Sequence, residues 1–396
     1  VLLTSFTHSA VDNLLTKLIE SGMSVGQVLR IGGKSSVQSS LHKYLLESKM
    51  VGGAVSSIQT ACTGVRLVAC TVLTASRSKL VRSMSLDCCI MDEAGQIAQP
   101  AALGAVLCAR VAVLVGDDYQ LPPLVVSIEA QTKGMNVSLF KRFMEAHPSA
   151  VGSLTMQYRM NAEIMSACNS LIYEHRMLCA LPSIANATLQ LPQVDLIPRP
   201  RGSSFGATRE DWLFKTLQPS PAVVFLNTDN LARYLAVLMG DSPRGSGNNS
   251  NNSDSGGGGG IHSNNSISSE AEATIVRHMV VALLASGCDL HNVGIICPFR
   301  AQVGLVSEAI KPHLLNTSAT PTATTNTTSV LSHAQFREAE GGVEADRICE
   351  VSTVDKYQGR DKDVIILSTV KSCLDGKESV GNLLRDWRRI NVAITR

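Results

Sequence analysis

Two stretches decide the reading of this chain: Cys88-Cys89-Ile90-Met91-Asp92-Glu93-Ala94 and, one strand later, residues 111–115 running into Gly116-Asp117-Asp118-Tyr119-Gln120-Leu121-Pro122-Pro123-Leu124. The first is an apolar strand ending in adjacent carboxylates. At the carboxyl end of a strand, the first acid can hold Mg²⁺ through water, and the second can orient and deprotonate an attacking water. Alone, the same pair also describes a solvated turn. The second stretch leaves its strand through a glycine into a polar loop with one glutamine, and the Pro-Pro pair stiffens the exit. An amide there can contact a γ-phosphate or the attacking water. An ordinary strand-exit turn has the same composition; what favours the chemical reading is that the loop follows Asp92-Glu93 by one strand.

Outward from this pair, short apolar runs alternate with amphipathic stretches. Strands are expected at residues 1–4, 28–31, 67–71, 88–91, 111–115, 222–226, 293–297, 349–353 and 364–370. Helices are expected at 9–20, 162–173, 270–286 and 301–310. Continuous apolar strands separated by helices predict an α/β fold with parallel sheets buried on both faces. Strand-free tracts at 131–157 and 199–221 separate two such sheets, giving domains 1–151 and 152–396. Residues 241–269 are rich in Gly, Ser and Asn, and 316–329 are rich in Thr. Neither buries enough apolar surface to offset ordering entropy, so both read as flexible insertions.

Composition sets the outer limits. With 44% hydrophobic residues in 396, the chain can fill real cores, which excludes wholesale disorder. The net charge of +2 excludes a global polycation, so a nucleic-acid partner would need a local basic groove. No stretch approaches the roughly 18 uncharged apolar residues of a membrane span. Arg110 interrupts one candidate, and Arg277 with His278 interrupts the other. No signal-peptide pattern is visible, and the first residue is Val1. The eleven cysteines are scattered without a C-x-x-C pair, which predicts buried free thiols in a reducing compartment. Gly32-Gly33-Lys34-Ser35 mimics a phosphate loop, but G-x-x-x-x-G-K-S/T needs an early glycine and Val28 stands at that place.

At this point the sequence resembles a known family. Asp92-Glu93-Ala94-Gly95 followed by Gly116 to Leu124 is similar to motifs II and III of superfamily 1 helicases. The rest agrees in order. Thr4-Ser5-Phe6-Thr7-His8-Ser9-Ala10-Val11-Asp12-Asn13 resembles motif Ia. Gln157-Tyr158-Arg159-Met160 resembles the element opening the second motor domain, and Gly294-Ile295-Ile296-Cys297-Pro298-Phe299-Arg300 resembles motif IV. Thr353-Val354-Asp355-Lys356-Tyr357-Gln358-Gly359-Arg360-Asp361 is similar to motif V, and Trp387 to Arg396 to the start of motif VI. The wording of these motifs, with Ser138-Leu139-Phe140-Lys141-Arg142, is similar to the helicase half of the eukaryotic DNA replication helicase/nuclease family. Departures are Gly95, where that family has serine, Asp118-Tyr119 before the glutamine, and the two insertions.

The resemblance implies two RecA-like P-loop NTPase domains using ATP and Mg²⁺ to move 5′ to 3′ on single-stranded DNA. It implies work on Okazaki-fragment flaps and resected DNA ends, in the nucleus with the mitochondrion as the alternative, beside a single-strand DNA-binding protein and away from membranes. Asp92 would hold Mg²⁺ through water, Glu93 would activate water, and Gln120 would sense the γ-phosphate. Arg159 and Arg396 would serve as arginine fingers, with a surface ion pair as the bland alternative. Tyr158 would stack on adenine, with Gln358, Gly359 and Asp361 also at the nucleotide. Thr4, Thr7, Thr71 and Thr353 would donate to phosphates without reading sequence. His8 and Phe299 would stack on bases, beside Pro298. A threonine at a strand end is equally a cap or turn residue. The phosphate loop is expected upstream of Val1, leaving the first domain without its N-terminal strand. A nuclease domain with an iron–sulfur cluster is expected outside these residues, and the chain alone is expected to hydrolyse little ATP. Two alternatives stay open: an RNA helicase of the nonsense-mediated-decay type, and a non-catalytic nucleic-acid-binding scaffold.

Overall fold

A computed structural model describes residues 1–50, 55–197, 212–228, 268–315, 349–357, 360–370 and 386–396. It divides into two compact units, Val1–Leu154 and Thr155–Arg396, slightly beyond the expected boundary at 151/152.

The first unit is built on five parallel strands: β1 (Leu2–Ser5), β2 (Val28–Arg30), β3 (Leu67–Thr71), β4 (Leu86–Met91) and β5 (Ala109–Leu114). Their order is β2-β3-β1-β4-β5. Side chains alternate across a strand, so Leu2 and Leu3 feed different cores. Leu2 packs with Val68, Cys70, Cys89, Met91 and Ala102, whereas Leu3 packs with Val11, Leu15, Val28 and Ala69. The second core is closed by the helix His8–Glu20, which starts where the Thr7 hydroxyl accepts from the Ala10 N–H and which buries Val11 and Leu15 one turn apart. β5 departs from the expected two-sided burial. It is the edge of the described sheet, with a neighbour only in β4, and Val111, Val113 and Val115 stay exposed.

In the second unit β8 (Val293–Cys297), β9 (Glu350–Thr353) and β10 (Val364–Leu367) form a parallel sheet in the order β10-β8-β9. The helices Glu270–Ala285 and Arg300–Leu315 pack on it through Val276, Val280, Leu283, Val306 and Ile310. A short parallel pair, β6 (Met156–Gln157) and β7 (Leu178–Cys179), stands apart from that sheet. β6 lies inside the tract expected to be strand-free.

Several expectations are corrected here. Residues 222–226 form no strand: Phe225 is 87% exposed, and the Ala222 N–H donates to Glu163 Oε2 at 2.5 Å instead of to a ladder. The expected helix 162–173 is α-helical only over Ala162–Cys168, then opens into a wider π turn at Asn169–Tyr173. The Asn169 amide explains the change, because it pairs with both the N–H and the carbonyl of Met177 at 2.9 and 2.8 Å and so draws the returning chain into the turn. Ser269 belongs to a helix N-terminus, not to the insertion, since its hydroxyl accepts from the Glu272 N–H. Residues 241–267 and 316–329 lie outside the described residues.

The described cysteines are free thiols. Burial pushes Cys70, Cys89, Cys297 and Cys349 up to about 12, so they behave as core hydrophobes and not as nucleophiles. Among the described residues no helix is long and apolar enough to cross a membrane.

Packing is tightest where Tyr357 lies against Gly294 in β8. A Cβ on Gly294 would fall on the Tyr357 ring and hydroxyl, and the buried hydroxyl has no hydrogen-bond partner among the described residues. Gly294→Ala is therefore expected to cost about 2–3 kcal/mol by overpacking. Tyr357→Phe removes an unsatisfied polar atom and is expected to leave stability unchanged or raise it by about 1 kcal/mol. Urea midpoints of the two variants, measured side by side, check both signs.

Candidate nucleotide and nucleic-acid sites

In the first sheet the chain leaves β1 toward β3 and β2 on one side, then crosses to β4 and β5 on the other. Open parallel sheets bind ligands outside the carboxyl ends of the strands at such a switch point. Asp92 and Glu93 stand there, directly after β4.

The backbone holds these residues by extending the ladder past the strands. The Asp92 N–H donates to Thr4 O at 2.9 Å, the Val115 N–H to Met91 O at 2.8 Å and the Ala94 N–H to Val115 O at 2.8 Å. The exits of β4 and β5 then run so close that side chains are excluded. A Cβ on Gly116 would stand 2.9 Å from the Gly95 nitrogen, and one on Gly95 would stand 3.0 Å from Asp117 O. Gly95, which departs from the resembled family's serine, is thus seated against the loop that carries Gln120. Between these contacts Glu93 adopts the left-handed conformation, φ 54° and ψ 36°, which costs a non-glycine residue about 1–2 kcal/mol.

The side chains are also held. Gln96 Nε2 donates to Glu93 Oε2 at 2.8 Å. Asp117 closes its own loop by accepting from the Tyr119 N–H at 2.9 Å and from Gln120 Nε2 at 3.0 Å. Asp118 pairs with Lys141 at 2.9 Å. Burial raises the Asp92 carboxyl above the usual aspartate range, against smaller opposing effects of the Glu93 N–H and the Lys17 charge. A half-buried carboxylate short of compensating charge suits a cation. No cluster of three or more His, Cys, Asp or Glu able to cage a metal occurs among the described residues. Mg²⁺ keeps most of its waters and takes one or two carboxylates plus substrate phosphates.

The second unit gathers another set. Gln157 Oε1 accepts from the N–H groups of Arg159 and Met160 at 2.8 and 2.9 Å, while its Nε2 donates to Met160 O at 2.7 Å. One side chain thus acts as a backbone turn and fixes Tyr158, which is 68% exposed, and Arg159. Arg159 Nε lies 2.7 Å from Asp361 Oδ1, and its Nη1 donates to Thr395 O at 3.0 Å. The expected arginine finger is therefore in the ion pair that the bland reading described. Asp361, expected at the nucleotide, is its partner. Arg396 is buried, with Nε donating to Val392 O at 3.0 Å, because it terminates the helix Trp387–Ile394 and turns back onto its last carbonyls. That corrects its picture as a side chain extended toward phosphate. Gln358 and Gly359 lie outside the described residues.

The proposed nucleic-acid contacts divide. Thr4 is fully buried inside β1, and its hydroxyl has no hydrogen-bond partner among the described residues. Thr71 is buried too, and its hydroxyl accepts from the Thr74 N–H as the cap of the helix Val72–Arg77. Both are corrected as phosphate contacts, one by strand burial and the other by capping. Thr7 also caps a helix but is exposed. His8 is half-buried, with its ring nitrogen Nδ1 on Arg30, and so is not a free stacking ring. Thr353, Pro298 and Phe299 are half-buried together at the carboxyl ends of β9 and β8, where Cys297 pairs with Thr353. Sequence reasoning missed Asp117, Gln96, Gln157 and Arg30. An aspartate two residues before a loop N–H is a recognisable turn signal, and Asp117 could have been found that way.

Comparison with known proteins agrees with this architecture. A family model described as an AAA domain matches residues 135–396, and a second of the same description matches 49–128. Along its whole length the chain is 38% identical to the DNA replication ATP-dependent helicase/nuclease JHS1 of Arabidopsis thaliana, covering 24% of that protein. It is 37% and 34% identical to the DNA replication ATP-dependent helicases/nucleases DNA2 of Xenopus laevis and Homo sapiens, covering 32% of each. It therefore spans 24–32% of the length of these relatives. With the larger match taking in most of the chain, on parallel RecA-like α/β sheets, the chain belongs to the AAA-domain family.

Proposed function

We propose that this chain is the motor of an ATP-dependent DNA helicase that works in DNA replication. The observation that carries the reading is the fused exit of β4 and β5, which sets Asp92, Glu93 and the Asp117–Gln120 hydrogen bond side by side at the carboxyl edge of the first sheet. Whole-length similarity to replication helicase/nucleases supports it.

In this reading Asp92 holds a hydrated Mg²⁺, which when bound neutralises charge on the phosphates. Glu93, oriented by Gln96, takes the proton of the attacking water. Gln120 trades its bond to Asp117 for one to phosphate or water, so the loop reports nucleotide state. Arg159, released from Asp361, supplies cationic charge to the transferring phosphoryl group, and Tyr158 offers an exposed ring to adenine. Candidate single-stranded DNA contacts are the half-buried residues Thr353, Pro298 and Phe299 in the second unit and, separately, Thr7 in the first. We further propose 5′ to 3′ movement, action on 5′ flaps and resected ends, cooperation with a single-strand DNA-binding protein, and a nuclear location. A nuclease with an iron–sulfur cluster would belong to other parts of the gene product.

Hydrolysis is to be measured in the full-length gene product with single-stranded DNA and Mg²⁺. Glu93→Gln is expected to retain nucleotide binding and to lose about 10²–10⁴-fold in turnover, as removal of a general base does. Unchanged turnover would overturn the base assignment. An unwinding substrate of RNA in place of DNA tests the nucleic-acid class in the same assay.

Arg159→Lys separates a finger from an ion pair. Its pair with Asp361 is half-exposed, where such a contact is worth at most about 1 kcal/mol. A loss of about 10³-fold in turnover with an unshifted melting temperature identifies the finger, because lysine lacks the planar fork. A lysine variant as active as the wild type refutes it.

Asp92→Asn tests the trade between stability and chemistry. Burial raises the Asp92 carboxyl in the folded state, so folding opposes its ionisation, and the carboxylate costs stability once pH exceeds the unfolded value. Asp92→Asn is expected to raise the melting temperature at pH 7 while abolishing Mg²⁺-dependent hydrolysis. The gain should fade as pH falls through the carboxylate range. A lower melting temperature at pH 7 would contradict the desolvation argument.

A further inference from the structure

Arg30 ends β2 completely buried, and Asp12 on the helix His8–Glu20 is buried beside it. Arg30 Nε lies 2.8 Å from Asp12 Oδ1, and Nη1 donates to Ile31 O at 2.8 Å and to Ala69 O at 3.4 Å. Asp12 Oδ2 accepts from the Gln38 N–H at 2.9 Å. The remaining arm, Nη2, lies 3.2 Å from His8 Nδ1. A guanidinium has only donors and does not lose its proton in proteins, so this last bond runs one way: Nη2 donates and Nδ1 accepts. A neutral imidazole that accepts at Nδ1 carries its proton on Nε2.

The surroundings fix the ring as well as its tautomer. Gly32 packs against it so tightly that a Cβ there would stand 3.2 Å from His8 Cε1 and 3.3 Å from Arg30 Nη1. Nδ1 and Cε1 therefore face inward. His8 is only half-buried, and no bond to Nε2 occurs among the described residues. The ring opens its helix beside the exposed cap Thr7, just past the carboxyl end of β1. That end shares a sheet edge with Asp92, through the bond from the Asp92 N–H to Thr4 O.

We infer that Arg30 is a positioning residue that locks His8 as its Nε2–H tautomer, and that His8 donates this proton to a phosphate oxygen of the bound strand. The inference rests on the nucleic-acid motor reading above. It replaces base stacking, which needs a free ring face, with a neutral hydrogen bond. The charged groups that act on the ring are Arg30 and Asp12. Burial first and Arg30 second lower the His8 pKa, and Asp12 opposes them. The two leading effects favour the neutral ring that the hydrogen-bond geometry requires. A neutral donor displaces no counterion, so it leaves the salt dependence of binding unchanged.

The test uses the complete chain with ¹⁵N-labelled histidine and fluorescent oligo-dT. The His8 signals are identified by their loss in His8→Gln. At pH 8 the wild type should show an unprotonated Nδ1 and a protonated Nε2. Arg30→Lys keeps a cation for Asp12 but loses the fork, so the ring should become a tautomer mixture. Oligo-dT binding should then weaken about fivefold, the scale of one hydrogen bond. His8→Phe, which can stack but not donate, should weaken binding by the same factor, and the conservative His8→Gln, whose Nε2 stands near the imidazole Nε2, should recover most of it. A protonated Nδ1 in the wild type overturns the positioning, and this spectrum needs no variant to fold. Full affinity in His8→Phe overturns the phosphate contact. If the wild type binds no oligo-dT at low salt, the nucleic-acid reading fails together with that contact, while the ring spectrum still decides the role of Arg30.

Discussion

The close approach of the β4 and β5 exits is the constraint on which the rest of the first unit depends. Two parallel strands normally diverge once their ladder ends, because side chains on the exits need room. Here the ladder continues through Val115 and Ala94, and the two crowded positions are glycines, so the exits stay in contact. Everything chemical hangs on that contact. Glu93 must turn left-handed to leave the ladder, Asp92 is held in a partly desolvated place, and Asp117 is near enough to fold its loop around Gln120. The strain at Glu93 and the desolvation of Asp92 are tolerated because the surrounding backbone bonds over-determine them.

Charge in this protein is used in pairs, which gives the near-neutral composition a physical meaning. Arg30 is matched to Asp12, Lys141 to Asp118, Arg159 to Asp361, and Arg389 to Asp386 and Asp355. Cations held by local acids contribute little fixed positive field, and a ligand that engages one of them would do so by exchange of partners. Arg159 illustrates this. Gln157 fixes its backbone while Asp361 and the Thr395 carbonyl hold its head, so only the head has to move.

The fold was legible wherever burial is two-sided. Residues 67–71 and 293–297 are continuous apolar runs, and both are strands with those limits. The reading failed where the same composition meets solvent. Residues 222–226 look as apolar as a core strand, yet a single polar anchor to Glu163 replaces a ladder, and no local pattern records that. The carboxylate pair Asp92-Glu93 at the end of β4 was legible because strand, acid pair and glutamine loop lie close in sequence. Thr4 and Thr71 were misplaced because a hydroxyl at a strand end serves capping, burial or binding equally well, and only tertiary contacts decide. The Arg30 network was illegible for a related reason. It joins residues from a helix start, a strand end and a loop, none of them periodic with the others, and composition gave Arg30 no reason to be inside.

Both units bury polar groups at the same kind of place, and the reason is general. A parallel ladder satisfies the backbone only as far as the strands reach; past their carboxyl ends the N–H and carbonyl groups need other partners. In the first unit Arg30 donates to the carbonyl of Ile31, just past the end of β2, and to that of Ala69 within β3. In the second, buried Glu272 accepts from the Ser368 hydroxyl at 2.6 Å and from the Val370 N–H at 2.9 Å, just past β10. Val370 there is left-handed, φ 71°, a conformation a β-branched residue adopts only when held. Gln302 ties the same point to Ser368 and Ser269. These side chains act as extensions of the sheet into its loops. They place the loops at the edge where ligands bind, so the groups that finish the fold and the groups that shape the site are neighbours by necessity. A substitution at either set should therefore be read for stability before it is read for function.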